Sequence, residues 1–417
     1  MTDHGDREFL GLSRPTFGDA ELQAIAGVLE SGWVTSGPHT ERFDAALGDY
    51  VGAPGRTICV SSCTGALTLA LRLLGVTHGD EVLLPTLTFV ACANVVEHAG
   101  ARPVFVDSDP VTGAVDLDRA ADVVGPRTRA LVVVHLGGRP LDLGALASFT
   151  QRTGVPVVED AAHAIGAAWD GRRIGSSGNL TAFSFHAGKN ITTFEGGALV
   201  ARDAEEAQRA ARLAMHGIDR SAWKRHGSPA PGEYDVTEAG YKLRMHDVAA
   251  AVGLVQIARL DEWIERRGQL ARMYYSLLSG LPLEVEPPLA PGARHAHHLY
   301  AVRLAPGVDR DGVALQLQAE GIGTSVHFRP IHLHRHHRAR FPVAPPSLAN
   351  ATSLASRLLS LPLYPLMQER DVERVAHALR AAVARPGRRE HALPALERPA
   401  PPEPLEHEPA APRPHSG

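Results

Sequence analysis

The strongest constraint on the fold is a repeated order of short apolar run, turn and apolar helix between about residues 57 and 200. TICV leads through SSCTG into an apolar helix, and EVLLPTLTFVACANVVEHAG repeats the order. RPVFVD, RALVVVHLGG and VPVVEDAAHA add further runs rich in Val and Leu. Strands that are buried on both faces carry such nearly continuous apolar runs. The pattern therefore predicts an α/β fold, with a mostly parallel sheet flanked by helices on both faces.

The pattern changes near residue 255, which predicts a division into domains. ARLDEWIERRGQLARMYYSLLSG has the spacing of a long amphipathic helix. We predict strands in HHLYAVRLA and GTSVHFRPIHLH and helices in DGVALQLQAEG and DVERVAHALRAAVA. The sequence thus predicts a large domain over 1–255, which includes helices over 20–50, and a smaller α+β C-terminal domain over 256–385. The proline-rich segment 386–417 is predicted to be a disordered tail.

Composition excludes several classes of protein. The chain has 417 residues and a net charge of −4, without a basic block that would favour nucleic-acid binding. It has no apolar run of 18 residues or more, so we expect no membrane span. The N-terminus MTDHGDREFL does not resemble a signal peptide. Three cysteines, none in a CxxC pair, indicate reduced thiols in a cytoplasmic protein.

Polar residues follow the predicted strands, at the sheet edge where parallel α/β folds bind ligands. In SSCTG, the backbone N–H groups and the hydroxyls of Ser62 and Thr64 suit an anion, although a simple helix cap explains them equally well. In TLTFV, Phe89 follows a strand, and taken alone it is more typical of a core residue.

The segment VVEDAAHA places Glu159, Asp160 and His163 directly after the most strongly predicted strand. A carboxylate at the end of a buried strand needs a partner, because an unpaired charge there is costly. A protonated ring nitrogen of a ligand is one such partner. A helix cap or an internal salt bridge is an equally simple alternative.

Lys189 lies in SFHAGKNITTFEGG, on the predicted turn after a further strand. In a site of low dielectric its pKa would fall and its amine could act as a nucleophile, whereas most lysines are solvated surface charges. The glycine pair that follows would let the backbone approach a ligand closely. A phosphate cradle, an aromatic, a carboxylate and this lysine together match the requirements of pyridoxal phosphate.

Two other interpretations are excluded by spacing. AGKN is not a Walker loop, because Phe183 stands where that loop requires a glycine. HLHRHHRAR is rich in histidine, but its spacing matches no standard zinc pattern and no cysteine is near. We therefore predict no metal site.

The sequence as a whole resembles the DegT/DnrJ/EryC1/StrS family of sugar aminotransferases, which have the fold-type I aminotransferase fold. The resemblance runs from SGWVTSGP (31–38) to LPLYP (361–365), and only the tail lies outside it. The matching motifs are SSCTGALTLAL, PTLTFVACANVV, VEDAAHAIGA, SFHAGKNITTFEGGALV, GYKLRMHDVAAAVGLVQI and TSVHFRPIHLH.

The resemblance implies roles around pyridoxal phosphate. Lys189 would bind the cofactor covalently and Asp160 would contact its pyridine nitrogen. His163 matches a position near the ring hydroxyl, and Phe89 matches an aromatic that stacks on the ring. The phosphate would be held by further residues, namely Cys63, Thr64, Ser184 and, from the neighbouring subunit, Lys242. That last position implies a homodimer with shared active sites.

The sequence departs from the family pattern at three positions. Cys63 stands where glycine or alanine is usual, and Phe194 stands where glycine is usual. Arg244 stands where relatives with the same lysine in GYK often have asparagine. Because phenylalanine is much larger than glycine, Phe194 predicts a narrower space on the side of the site where the substrate binds.

The resemblance also indicates the reaction. Known dehydratases of the family carry histidine at the position of Lys189, so the lysine favours transamination through the aldehyde and amine forms of the cofactor (PLP and PMP). The donor would be L-glutamate. GYK with GTSVHFRPIHLH looks more like the C-4 type, which implies a nucleotide-linked acceptor, dTDP-4-keto-6-deoxyglucose, in antibiotic or other deoxyaminosugar biosynthesis.

His327, Arg329 and His332 are candidates for the sugar–nucleotide side, where charged groups would suit a diphosphate. Solvated residues at a strand end are an equally good interpretation of them. Alternative functions are a C-3 keto-sugar or cyclitol aminotransferase and a non-catalytic, cofactor-binding regulatory protein. A cofactor-free aldolase that uses Lys189 is a weaker alternative, since it does not explain why the anion site at Thr64 and the carboxylate of Asp160 occur together.

Overall fold

The computed structural model describes residues 8–219, 234–343 and 347–384. The predicted disordered tail, 386–417, lies outside the described residues. Among the described residues, no helix is long and apolar enough to cross a membrane.

Two helices precede the sheet, as predicted over residues 20–50. Helix α1 spans Asp19–Ser31 and α2 spans Pro38–Val51. Pro38 at the first position of α2 needs no amide hydrogen-bond partner, which favours the helix start there. Both helices end at a glycine with positive φ, a conformation that glycine adopts without a steric penalty.

A seven-stranded sheet forms the centre of the molecule, in the order β1-β9-β8-β5-β4-β2-β3. All neighbouring pairs are parallel except those that β9 makes with β1 and β8. The predicted fold class is confirmed. The strands are β1 (Thr57–Val60), β2 (Glu81–Pro85), β3 (Arg102–Val106), β4 (Thr128–Val134), β5 (Val157–Asp160), β8 (Leu180–Ser184) and β9 (Gly197–Val200), with a small hairpin of β6 (Ala168–Trp169) and β7 (Arg172–Arg173).

Helices that connect the strands or follow the last one cover both faces of this sheet. They are α3 (Cys63–Leu73), α4 (Ala91–His98), α5 (Leu117–Asp122), α6 (Leu143–Thr153) and α7 (Ala204–Leu213). In β4, Leu131 and Val133 pack into the core that contains Phe43, while Val132 packs into the opposite core with Leu67. The alternating side chains of one strand thus enter two cores, which explains the continuous apolar runs of the sequence.

The parallel register brings the strand ends to one edge. Val134 of β4 pairs with Asp160 of β5, and Asp160 pairs with Ala182 of β8. The residues that follow these strands therefore meet at one edge of the sheet.

A smaller α+β region follows, built on an antiparallel sheet in the order β10-β11-β12. Its core contains Leu270, Tyr274 and Leu359. The elements are α8 (Asp247–Ala258), α9 (Leu260–Leu277), β10 (Leu283–Val285), β11 (Tyr300–Leu304), α10 (Arg310–Ala319), α11 (Arg335–Arg340), α12 (Ala349–Arg357), β12 (Leu358–Leu361) and α13 (Glu369–Ala384).

The strand predicted in GTSVHFRPIHLH is wrong. The only β-pairing of this segment, 323–334, is an isolated bridge between Ser325 and Ser360. The segment ends in a short 3₁₀ turn, Ile331–Leu333. The strand that pairs with β11 is β12 instead. Its sequence, LLSL, is too short to predict a strand from its pattern.

The boundary between residues 255 and 256 stays a prediction. It falls inside α8, and the start of α9 still packs on the large core through Trp263 and Ile264. Later residues of α9, such as Leu270, belong to the small core. Leu10, near the N-terminus, also packs in the small core, and its amide donates to the Gly321 carbonyl (2.9 Å).

We expect Gly253→Ala to destabilise the protein. A Cβ atom at Gly253 of α8 would lie 2.5 Å from the ring of Phe43, which is fully buried and cannot move aside. Overpacking costs about 1–3 kcal/mol, which exceeds the roughly 1 kcal/mol that alanine gains over glycine in a helix. The thermal midpoint of the holoenzyme should fall.

The matched control is Gly27→Ala in α1, where a Cβ atom would meet nothing within 4 Å. Its thermal midpoint should rise slightly, because only the helix-propensity gain remains. An equal change of the thermal midpoint in the two variants would contradict the packing of α8 on α2.

Candidate active site

Asp160 lies at the carboxyl end of β5 and is only 5% exposed. Its Oδ2 accepts a hydrogen bond from the Cys92 thiol (3.0 Å), and its Oδ1 accepts from the Ala162 amide (3.0 Å) and from the Cys63 thiol (3.8 Å). Burial and the charge of Asp160 raise the pKa of both thiols, so both keep their protons and remain donors. The carboxylate is thus fixed in orientation from two sides.

The contribution of Cys92 was not predicted. Its place three residues after Phe89, at the start of α4, gave no signal by itself. A thiol that packs against a carboxylate looks in sequence like any core cysteine.

Lys189 follows β8, and its backbone amide donates to the His186 carbonyl (2.9 Å). Within the described part of the chain, its amine makes no hydrogen bond and no ion pair. Burial lowers the pKa of the amine, and the negative charge of Asp160 opposes this only in part. The amine is therefore more nucleophilic near neutral pH than that of a solvated lysine.

His163 is held as a neutral ring. Its Nδ1 accepts a hydrogen bond from the Gly137 amide (3.2 Å), which leaves the proton on Nε2. Burial, with the positive charge of Lys189 and the proximity of His327, lowers its pKa well below 6.5. Among the described residues, Nε2 has no hydrogen-bond partner and remains available as a donor.

An aromatic cluster that was not predicted surrounds this ring. The rings of His163 and His298 lie 4.3 Å apart, and Phe328 stacks on His163 at 5.9 Å. His298 Nδ1 lies 3.2 Å from Asn190 Oδ1, and Asn190 donates its amide to the Ala296 carbonyl (2.7 Å). These contacts depend on packing between the two sheets, so no local sequence pattern carries them.

Phe89 belongs to the same cluster. Its ring lies 5.7 Å from that of Phe328, and the residue is 54% exposed. It is therefore not a core residue, which was the alternative interpretation, and its exposed ring is available to a planar ligand.

The start of α3 is suited to an anion. Ser62 caps the helix by accepting a hydrogen bond from the Gly65 amide (3.0 Å). The amides of Cys63 and Thr64 have no acceptor among the described residues. Together with the helix dipole, these free N–H groups form an anion-binding site.

The glycine pair after Lys189 brings this helix start close to the end of β8. A Cβ atom at Gly197 would lie 2.5 Å from the Cys63 nitrogen, so only glycine allows this approach. Ser184, at the end of β8, pairs with Gly197 and is nearly buried, with its hydroxyl accepting from the His186 amide at 3.5 Å.

Lys242 is a predicted cofactor residue whose side chain makes no hydrogen bond or ion pair with the other predicted cofactor residues among those that the structure describes. Its side chain is exposed, and the one polar contact of its Nζ within the described chain is with Met215 Sδ (3.2 Å). The adjacent residue Leu243 accepts a hydrogen bond from the Ser61 amide (2.7 Å), so the segment runs beside the start of α3.

Two departures from the family pattern have a structural explanation. Arg244 pairs with Asp44 and donates to the Cys59 carbonyl (2.9 Å), which anchors the GYKLRM segment. Phe194 has φ +67°, a region that favours glycine, and its ring lies 5.4 Å from Phe17. The backbone conformation accounts for glycine at this position in relatives.

The three predicted substrate residues have different surroundings. His327 Nδ1 bonds to Ser360 Oγ (2.8 Å), and burial and Lys189 lower the pKa of its ring to about 4. Arg329 is exposed and donates to the Leu333 carbonyl (3.0 Å). His332 lies between two hydroxyls, 2.7 Å from Thr86 Oγ1 and 3.3 Å from that of Thr352. The pKa of the His332 ring is also lowered, by burial, but the charge of Lys189 does not contribute to that shift.

The residues present fit pyridoxal phosphate. A half-buried amine without a hydrogen bond in the described chain, a fixed carboxylate, an exposed aromatic and the free amides of a helix start lie around one sheet edge. These match the aldehyde, the pyridine nitrogen, the ring face and the phosphate of the cofactor. The mostly parallel seven-stranded sheet, the small antiparallel sheet and this site define a fold-type I aminotransferase that uses pyridoxal phosphate.

The chain belongs to the DegT/DnrJ/EryC1/StrS aminotransferase family, whose family model matches residues 15–380. It is 41% identical to the spore coat polysaccharide biosynthesis protein SpsC of Bacillus subtilis (strain 168) over 379 residues, 90% of this chain and 97% of SpsC.

Solved structures agree with this assignment. The aminotransferase TlmJ from Streptoalloteichus hindustanus is 39% identical with a TM-score of 0.83, over 90% of this chain and 99% of TlmJ. The putative sugar aminotransferase Spr1654 from Streptococcus pneumoniae, in its PMP form, is 29% identical with a TM-score of 0.85, over 91% and 99%. Spr1654 has also been solved in a PLP form. The protein is a sugar aminotransferase dependent on pyridoxal phosphate.

Proposed function

We propose that the enzyme moves an amino group from L-glutamate to C-4 of a nucleotide-linked keto sugar, with dTDP-4-keto-6-deoxyglucose as the favoured acceptor. The observation that carries the proposal is the half-buried Lys189 amine, which has no hydrogen bond in the described chain and senses the charge of Asp160. The pathway we favour makes deoxyaminosugars, including those of antibiotics, in the cytoplasm.

Within this proposal each residue has a defined task. Pyridoxal phosphate, when bound, supplies an electron-withdrawing ring. Asp160 would keep the pyridine nitrogen protonated, and His163 would donate a hydrogen bond from Nε2 to the ring oxygen. Phe89 would cover one ring face. The Lys189 amine would bind the cofactor and serve as the general acid and base for proton transfer.

The phosphate would be held by the amides of Cys63 and Thr64 and the hydroxyl of Ser184. Lys242 reaches the phosphate of a second copy of the chain, so the active form is a homodimer with shared sites. Its exposed side chain supports this role.

On the substrate side, His327 and Gly137 line a cavity of about 50 Å³. This is well below the roughly 300–1,000 Å³ of a typical small-molecule site, so the cavity can hold only a part of the acceptor. Arg329 is exposed and can pair with a diphosphate. His332 completes the set, although its hydrogen bonds to Thr86 and Thr352 would have to open. The motif GYK supports C-4 rather than C-3.

The test is spectroscopic and then chemical. L-Glutamate should convert the absorbance of the lysine-bound cofactor to that of the amine form, and dTDP-4-keto-6-deoxyglucose should reverse it. NMR of the product should show nitrogen at C-4. Nitrogen at C-3, or turnover only with a cyclitol ketone, would replace the C-4 assignment. No change with any amino donor would favour a regulatory cofactor-binding role.

A further inference from the structure

We propose that Glu97, His336 and His337 form a binding site for a divalent transition metal of the zinc class. Glu97 lies on α4, and the two histidines lie on α11. One ligand atom from each residue falls within a group whose members are all within 4.8 Å of one another. The site lies outside the cofactor and substrate residues described above.

The distances suit a tetrahedral ion. Glu97 Oε1 lies 3.1 Å from His336 Nε2 and 3.3 Å from His337 Nε2. Two donors bound to zinc at about 2.0–2.1 Å in a tetrahedral arrangement are about 3.3 Å apart. The carboxylate oxygen and each ring nitrogen are thus already spaced as ligands of one ion. A solvent molecule would fill the fourth position.

Burial supplies a second argument. The His337 side chain is only 3% exposed, and neither of its ring nitrogens makes a hydrogen bond within the described chain, although Nε2 lies 3.3 Å from Glu97 Oε1. A buried polar atom without a partner is costly, and a metal bound to Nε2 would satisfy it. His336, whose side chain is 62% exposed, leaves a route for the ion from solvent.

Arg340 defines which carboxylate oxygen is free. Its Nε lies 3.0 Å from Glu97 Oε2, which it can hold by a charged hydrogen bond. His336 Nε2 lies 3.0 Å from Oε2 and 3.1 Å from Oε1, but only Oε1 is also close to His337 Nε2, at 3.3 Å. Glu97 Oε1 is therefore the oxygen that can bind a metal together with both histidines. His334 is outside the group, since its ring lies 6.5 Å from that of His337.

The site was excluded on sequence grounds because the spacing of HLHRHHRAR matches no standard zinc pattern. The third ligand, Glu97, lies 239 residues before His336, so local spacing could not reveal it. A bound ion would join α4, which carries Cys92 of the active site, to the segment that follows Arg329 and His332. We infer a structural role, outside the chemistry.

The experiment uses the full-length holoenzyme, stripped with EDTA and dialysed against zinc sulfate. Elemental analysis should give one zinc per chain, and zinc should raise the thermal midpoint. His336→Gln should weaken zinc affinity by more than about 100-fold, because even partners outside the ligand shell change affinity by 10–100-fold. His334→Gln, on the same segment but outside the group, should bind as the unchanged protein does.

The proposal is wrong if the parent protein binds no zinc at micromolar concentrations. It is also wrong if the His336→Gln variant binds zinc as tightly as the parent protein. Sulfur ligands in the zinc X-ray absorption spectrum would place the ion at Cys63 and Cys92 instead. Because His336 is exposed, the metal-free variant should keep the thermal midpoint and cofactor absorbance of the metal-free parent. Misfolding is thereby separated from loss of a ligand.

Discussion

Replacing Lys189 with alanine is expected to reduce transamination by about 10⁴-fold or more, because the variant loses both the cofactor-binding amine and the group that moves the proton. Cofactor added to the variant should keep the absorbance of the free aldehyde. Single-turnover rates with L-glutamate measure the loss.

Lys189→Arg is the matched variant, since it keeps a positive charge beside Asp160 but cannot form the covalent bond. Its rate should fall as far as that of the alanine variant. If either variant kept more than about a hundredth of the parent rate, general acid–base catalysis worth 10²–10⁴-fold could not belong to Lys189.

Asp160→Asn is expected to reduce the rate by about 10³-fold, a typical loss for one fixed electrostatic group at a reacting centre. Asparagine keeps the shape and can still accept from the Ala162 amide, but it carries no charge to hold a ring nitrogen protonated. Cofactor affinity should change far less than the rate, which separates this effect from failure to fold.

Glu159→Gln provides the control. Glu159 is fully buried beside Asp160, where hydrogen bonds from His135, Ser177 and Asn179 hold its pKa low against the effect of burial. Neutralising it should lower the thermal midpoint, because a buried hydrogen-bond network is weakened. The transamination rate should stay within about tenfold of the parent rate. Losses of about 10²–10³-fold are expected only when a group that stabilises charge at the reacting centre is removed. Equal rate losses in both variants would contradict a specific role for Asp160.

The central sheet could be predicted because its strands are apolar on both faces and alternate with helices. The location of Asp160 and Lys189 at one edge of the sheet could also be predicted, because ligands of parallel sheets bind at the carboxyl ends of the strands. The strand order, with β9 inserted antiparallel between β1 and β8, could not be predicted, because no residue type distinguishes these strands.

The surroundings of the site were predicted less completely. His298 lies between β10 and β11 and Phe328 follows α10, so their contacts with His163 exist only once the two sheets pack together. Cys92 gave no signal, because a buried thiol that donates to Asp160 has the same sequence pattern as a core residue. The pairing of Lys242 with a second copy of the chain stays a prediction.

The N-terminal segment has a consequence for the order of assembly. Leu10 forms a β-bridge with Ile322, and Arg374 donates to the Glu8 carbonyl (3.1 Å). A contact that spans 312 residues (322 minus 10) closes a very long loop, whose entropic cost grows only slowly with length. During synthesis Leu10 is made well before Ile322, so their contact can form only after most of the intervening chain has been translated. The packing of Leu10 in the small core is therefore a late step of folding during synthesis.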